Sequence, residues 1–419
     1  MISRRVVAVL GLIGTTCFSL HAQQWTVYDM ENSPLPSTTV KALAPDGEGG
    51  VWVGTDWGLC HFDGSAGWII YQEGTSPLAE NDIRSLQVDP SGRLWIGTVS
   101  MGLQVKDGED WTTYTPLNSP LPDFGIRDLF IDAAGDAWIC TATGLARFNG
   151  SEWSVYNDTP ESHLGAVLET ANTNAVALGN DGTVCLGTFN GGLHFIQGSN
   201  VEVLTSFDDG FFDNTAVDVL FHPVTGARWV ATPAAGLLRQ QGPVIGGLWT
   251  QWSGATGFPS NATTALAVSN MGDVWVGTQI AGLVSVHPDG TYTLYDEVNS
   301  GLPDNTVRSL LATDDGAVWV GTFLGGLARF DPSVAIYESP QKGQLLAYPN
   351  PVTDRFEVAC PDGCSGADWE LVTSDGRQVM HGISGTEVLR IDRTGLTGGL
   401  YTLGLRSRGF VGVTRVLVD

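Results

Sequence analysis

Positive charge is scarce in this chain: 20 Lys and Arg face 45 Asp and Glu, for a net charge of −25. Nucleic-acid binding displaces counterions from phosphates with basic stripes, so this balance argues against nucleic acid as a partner. Anionic membrane surfaces are disfavoured for the same reason. Charge of either sign is sparse at 16%, which separates the chain from disordered acidic tails. Methionine (5) and cysteine (6) are few, and no CxxC pair exists, so zinc and thioredoxin-like chemistry lack support. Beyond the N-terminus no run approaches 18 apolar residues, and no membrane span is expected. What is abundant is Gly (54) and Trp (14), where average usage at about 7% would give roughly 29 glycines. Short strands and tight turns follow from that composition; helical bundles do not.

Residues 1–22 read MISRRVVAVLGLIGTTCFSLHA: two arginines, an apolar stretch, then a small residue. This is the layout of a secretory signal peptide, with cleavage expected after Ala22. Of the later cysteines (Cys60, Cys140, Cys185, Cys360, Cys364), only Cys360-Pro-Asp-Gly-Cys364 has a spacing that suggests a disulfide, across a turn. An odd count leaves at least one free thiol, most simply buried as a small hydrophobe.

A short apolar segment closed by Gly-Leu recurs seven times, as in VWVGTDWGL from Val51, LWIGTVSMGL from Leu94 and VWVGTFLGGL from Val318. The anchor position holds Trp52, Trp95, Trp138, Cys185, Trp229, Trp275 and Trp319, at spacings of 43, 43, 47, 44, 46 and 44. A period in the forties, made of strands and turns, is one four-stranded propeller blade. Each period divides into four strands: strand a (VKALA from Val40), strand b (WVGT), strand c (GLxxF) and strand d (WxxY). Asp- and Gly-bearing turns join them. Trp25-Thr-Val-Tyr28 precedes the first strand a, and no WxxY follows Phe330. The first strand is therefore expected to complete the seventh blade and latch the ring, leaving no long open edge.

These motifs resemble the two-component regulator propeller repeats over roughly residues 24–337. Departures are Cys140 and Ala231 at the usual Gly, and Cys185 at the usual Trp. The resemblance implies a seven-bladed β-propeller of a kind often found in periplasmic sensing domains, although no kinase or receiver motif is present. After Pro340 the period stops, and alternating strands suggest a small seven-stranded β-sandwich. Its YPNP (Tyr348, Pro349, Asn350, Pro351), the DxxGRxV core and the LxxGLYxLxL ending resemble the type A sorting domain of the type IX secretion system. That resemblance implies export across the outer membrane by that machinery and attachment to the cell surface. The reading is all-β: signal peptide 1–22, propeller 23–337, linker 338–345 and sorting β-sandwich 346–419.

No GxSxG, HExxH, P-loop or helix-opening GxGxxG is present, and the histidines lack ligand spacing. Asp208-Asp209 is compatible with Ca²⁺, but hairpin chemistry accounts for it, and no cofactor is expected. Propeller geometry places the b–c turns and the d–a loops on one face, around the channel mouth. Trp57, Phe189 and Phe323 lie on the turns, and Phe211 and Phe212 on a loop, where exposed aromatics suit stacking with sugar rings. Eleven residues before the anchors stand Lys41, Arg84, Arg127, Asn174, Asp218, Thr264 and Arg308, four of seven basic. They are placed to hold an anionic ligand such as a uronic acid; inter-blade salt bridges to aspartates are the plainer alternative. The leading reading is thus a secreted, surface-attached, non-catalytic module binding a glycan or a protein. Two rivals stay in view: a polysaccharide lyase or hydrolase on the propeller face, and a structural or adhesive surface protein.

Overall fold

A computed structural model describes residues 25–65, 67–206 and 211–331. In the C-terminal segment it describes 346–348, 352, 355–359, 366, 368–373, 378–384, 388–407 and 410–418. The expected signal peptide, the linker, Pro349, Asn350, Pro351, the Cys360–Cys364 pair and Asp208-Asp209 lie outside the described residues. Contacts divide the chain into Gln23–Ser333 and a second unit that holds the C-terminal segment.

The first unit is a ring of seven four-stranded antiparallel sheets. Blade one is typical, with strands Val40–Pro45, Val51–Thr55, Leu59–Phe62 and Trp68–Tyr71 pairing in that order. Alternation would leave one face of each sheet in water, but here both faces of strand b are buried. In blade two all five residues of Leu94–Thr98 are buried. Neighbouring blades cover each other: Trp95 and Leu103 of blade two share one core cluster with Ile126 and Ile139 of blade three. Blade seven is closed by the N-terminal strand Trp25–Tyr28, which pairs with Leu327–Phe330 so that Trp25 opposes Phe330. The ring therefore ends on hydrogen bonds between the two ends of the repeat array, and blade seven has the same four strands as the other six. Helical geometry among the described residues is confined to two single turns, His163–Gly165 and Gly254–Thr256.

The glycine of WxGT is explained by the packing of one blade on the next. A Cβ on Gly54 would stand 2.6 Å from Ile83 Cγ2, and one on Gly97 2.6 Å from Ile126 Cγ2. Gly277 meets Val307, and Gly321 meets Val40, in the same way. The two departures from this glycine are matched across the blade boundary. Beside Cys140 the next blade offers Thr173, and beside Ala231 it offers Thr263, in place of Ile or Val. Each threonine hydroxyl accepts a backbone N–H, from Thr141 at 3.0 Å and from Thr232 at 2.8 Å. Cys60, Cys140 and Cys185 are buried free thiols. Burial alone pushes Cys60 up to about 12, and burial is the main cause for Cys185, also at about 12.

The second unit holds a three-stranded sheet (Leu346–Tyr348, Arg355–Ala359, Val388–Asp392) and a four-stranded sheet (Gln378–Ile383, Asp368–Thr373, Gly399–Ser407, Phe410–Val418). Phe356, Leu389 and Ile391 from the first sheet share one core with Leu371, Leu403 and Val416 from the second, as in a sandwich.

Candidate functional site

Strand a is the innermost strand of every blade, and its first turn of chain carries the feature that builds the site. In six blades the pairing of strands a and b skips one residue of strand a: Lys41, Arg84, Arg127, Asn174, Thr264 and Arg308. Each is the extra residue of a β-bulge, a device that frees a side chain from the pleat and re-aims it. All six line the central cavity, whose volume is about 950 Å³. The column read from the sequence is thus a real ring in six places out of seven.

Blade five is the exception. Its strands pair without a bulge, and Asp218 opposes Ala231 just as Asp128 opposes Cys140 in blade three. The a–b turn of blade five is one residue longer, so counting back eleven from the anchor stops one residue short of the ring position. Val217, not Asp218, occupies the ring position there and also lines the cavity.

The ring is electrostatically one-sided. Its four cations fall on the consecutive blades seven, one, two and three, while Asn174, Val217 and Thr264 make the opposite arc. Lys41 Nζ donates to Asp82 of the next blade at 2.6 Å, the one ring cation with an inter-blade salt bridge among the described residues. Arg127 donates to Asn172, to Asn174 Oδ1 at 2.8 Å and to the Thr173 carbonyl at 3.2 Å, all neutral groups. Burial and the nearby Arg84 charge push its guanidinium down from the usual value. Arg308 lies over the Phe323 ring at 4.8 Å. Arg84 is exposed and makes no ion pair among the described residues. Salt bridging to aspartates therefore accounts for Lys41, and the three arginines make no ion pair among the described residues.

Next to the ring sit two channel-wall acids. Asp128 Oδ2 accepts the Val176 N–H at 2.9 Å, and Asp218 Oδ2 accepts the Leu266 N–H at 2.7 Å, each from the following blade. Both close a gap in the inner hydrogen-bonding edge of strand a. Burial raises Asp128 to about 6, and burial together with the Asp128 charge raises Asp218 to about 8. Sequence reasoning passed over Asp128; an acid directly after the ring position of strand a is the signal it carried.

The b–c turns and d–a loops do share this end of the ring. Turn glycines donate to d–a loop carbonyls, Gly58 to Asn81 at 2.8 Å and Gly192 to Asn214 at 2.8 Å. The first turn residue donates back to the start of its own strand a, as Phe323 N does to Thr306 O at 3.0 Å. Trp57, Phe189, Phe212 and Phe323 are exposed here. Phe211 is a correction: it is 1% exposed against 47% for its neighbour Phe212, and it packs on Trp249 at 5.3 Å in the core between blades four and five. His194 is also buried, its Nε2 accepting the Glu169 N–H at 3.1 Å to hold the loop before blade four. Burial pulls its imidazole down to about 4. Among the described residues no group of three or more His, Cys, Asp or Glu is arranged to hold a metal ion. Among the described residues no helix is long and apolar enough to cross a membrane.

Comparison with known proteins bears on fold and export. The two component regulator propeller family matches residues 34–57, 77–100 and 301–323, and the secretion system C-terminal sorting domain matches 346–419. No curated protein matches the chain. Among solved structures it is similar to the extracellular domain of BT3049 from B. thetaiotaomicron, described as a hybrid two component system. That match has TM-score 0.64 and 18% identity, over 94% of this chain and 57% of that one. It is also similar to PorZ, a surface component of the type-IX secretion system of Porphyromonas gingivalis, with TM-score 0.56 and 17% identity over 90% and 59%. YCF48 bound to D1 peptide matches at TM-score 0.54 and 16% identity, over 74% and 96%. The chain spans under two thirds of the length of the first two, and at these identities the likeness establishes the fold. The chain folds as a seven-bladed propeller that carries two component regulator propeller repeats at 34–57, 77–100 and 301–323, and its C-terminal sorting domain marks it for type IX export and attachment at the cell surface.

Proposed function

We propose that the propeller is a non-catalytic binding module, displayed on the cell surface, that takes a glycan or a protein at the b–c face. The observation that carries this reading is the cationic arc of Lys41, Arg84, Arg127 and Arg308 in a chain of net charge −25. Three guanidinium groups in one wall of a cavity, none of them in a salt bridge among the described residues, raise the local potential and favour an anion there. Exposed Trp57, Phe189 and Phe323 beside the mouth supply ring faces for contact. YCF48, a propeller of similar fold, was solved bound to a D1 peptide, which supports a protein as one of the two ligand classes. The sorting domain supports display outside the cell, where either class is met. The test is a glycan array on the purified protein, run with a peptide-display panel and a polysaccharide degradation assay. Binding without degradation is the expected result. Release of unsaturated or reducing sugar by the protein would make it an enzyme.

A further inference from the structure

The tips of the b–c turns carry apolar side chains that no core explains. Ile280 is 74% exposed, Leu324 66% and Met101 47%, with Trp57 and Phe189 at the matching turns of blades one and four. Five of the seven turns that surround the channel mouth are therefore tipped by a large apolar group. At the other end of the ring Val224, Ile245 and Met271 are exposed, but these are confined to blades five and six. Solvated turns ordinarily carry polar residues, and clustered exposed apolar groups mark interaction surfaces. Aromatic tips alone would suit sugars. Isoleucine, leucine and methionine offer no face for stacking a sugar ring; they suit the apolar side chains of a protein partner.

Inside this rim lies the cationic arc. Among the described residues Arg84 has no salt-bridge or hydrogen-bond partner and Arg308 meets only the Phe323 ring, while Arg84 and Arg127 are near enough for the charge of one to depress the other. Neighbouring cations without a carboxylate between them are unfavourable unless an anion joins them. Apolar rim and cationic centre together specify the partner by complementarity.

On the reading that the b–c face is a ligand site, we infer that its occupant is an acidic peptide segment of another protein. Its Asp or Glu carboxylates enter the channel mouth against Arg84, Arg308 and Lys41, and its flanking apolar side chains rest on Ile280, Leu324 and Trp57. Charge reversal at the centre should therefore weaken binding strongly, and polar substitution at the rim should weaken it less.

The experiment selects from a random octapeptide display library on the immobilised full-length protein. Enriched peptides are then assayed by fluorescence anisotropy beside versions with Asn or Gln for the acids, and with tetragalacturonate as competitor. Enrichment of peptides in which Asp or Glu adjoins apolar residues is expected. Arg84→Glu with Arg308→Glu should weaken them at least about tenfold, since like charges then face each other. Ile280→Ser with Leu324→Ser should cost at least about threefold. All four residues are exposed, so these variants keep the fold; the unchanged melting temperature checks it. No enrichment, enrichment of neutral peptides, or binding indifferent to the arginine pair would overturn the inference. Oligogalacturonate binding with no peptide binding would overturn it while sparing the ligand-site reading; silence of both panels would overturn both.

Discussion

Alanine at Gly54 tests the packing rule that joins one blade to the next. Its backbone is one that any residue adopts, so the cost is steric alone. The new Cβ would stand 2.6 Å from Ile83 Cγ2, 3.0 Å from Ile83 Cβ and 3.3 Å from Ala42 Cβ. Ile83 is fully buried and β-branched, with little rotamer freedom to yield. Overpacking of this kind costs about 1–3 kcal/mol. Ile83→Thr alone should cost about 1–2 kcal/mol, from lost apolar burial and a hydroxyl placed in the core. The double variant recreates the pairing that the protein itself uses at Ala231 and Thr263. Its loss should be smaller than the sum of the single losses by about 1 kcal/mol or more. Urea unfolding followed by tryptophan fluorescence measures all four corners of the cycle. An unchanged midpoint for Gly54→Ala, or strictly additive losses, would refute the rule.

Three further expectations follow from particular residues. Trp25→Ala should destabilise the whole propeller by about 3–5 kcal/mol, because Trp25 is buried against Phe330 at 4.8 Å and closes blade seven; a melting temperature equal to the wild type would dismiss the latch. Phe211→Ala should cost about 3 kcal/mol or more, whereas Phe212→Ala should change stability by under about 0.5 kcal/mol; equal effects would contradict the burial of Phe211. Asp218, raised from 3.8 to about 8, keeps in the folded chain a proton that the unfolded chain releases. Its contribution is fully present below pH 3.8 and is lost as pH rises to about 8, so Asp218→Asn should stabilise at pH 8 by about 2 kcal/mol and not at pH 4; a pH-independent difference in melting temperature between the two proteins would reject this assignment.

Blade count and latch were legible in the amino-acid sequence because they are local. A blade repeats every 43 to 47 residues, its turns need Asp and Gly at set places, and a strand d without a blade in front can pair only where a blade lacks one. The cationic column was legible for the same reason, wherever the a–b turn has constant length. It failed at blade five, where one extra turn residue moved Asp218 off the ring and put Val217 on it. Closure of the ring decided the rest. Which of two adjacent phenylalanines fills a blade boundary depends on the volume left between two sheets, and this fixed Phe211 inside and Phe212 outside. The partner of Arg127 comes from the next blade, and the raised Asp218 depends on an acid two blades away. Such groups meet only when seven sheets share one axis, so their charges and their burial are properties of the ring and of no single repeat.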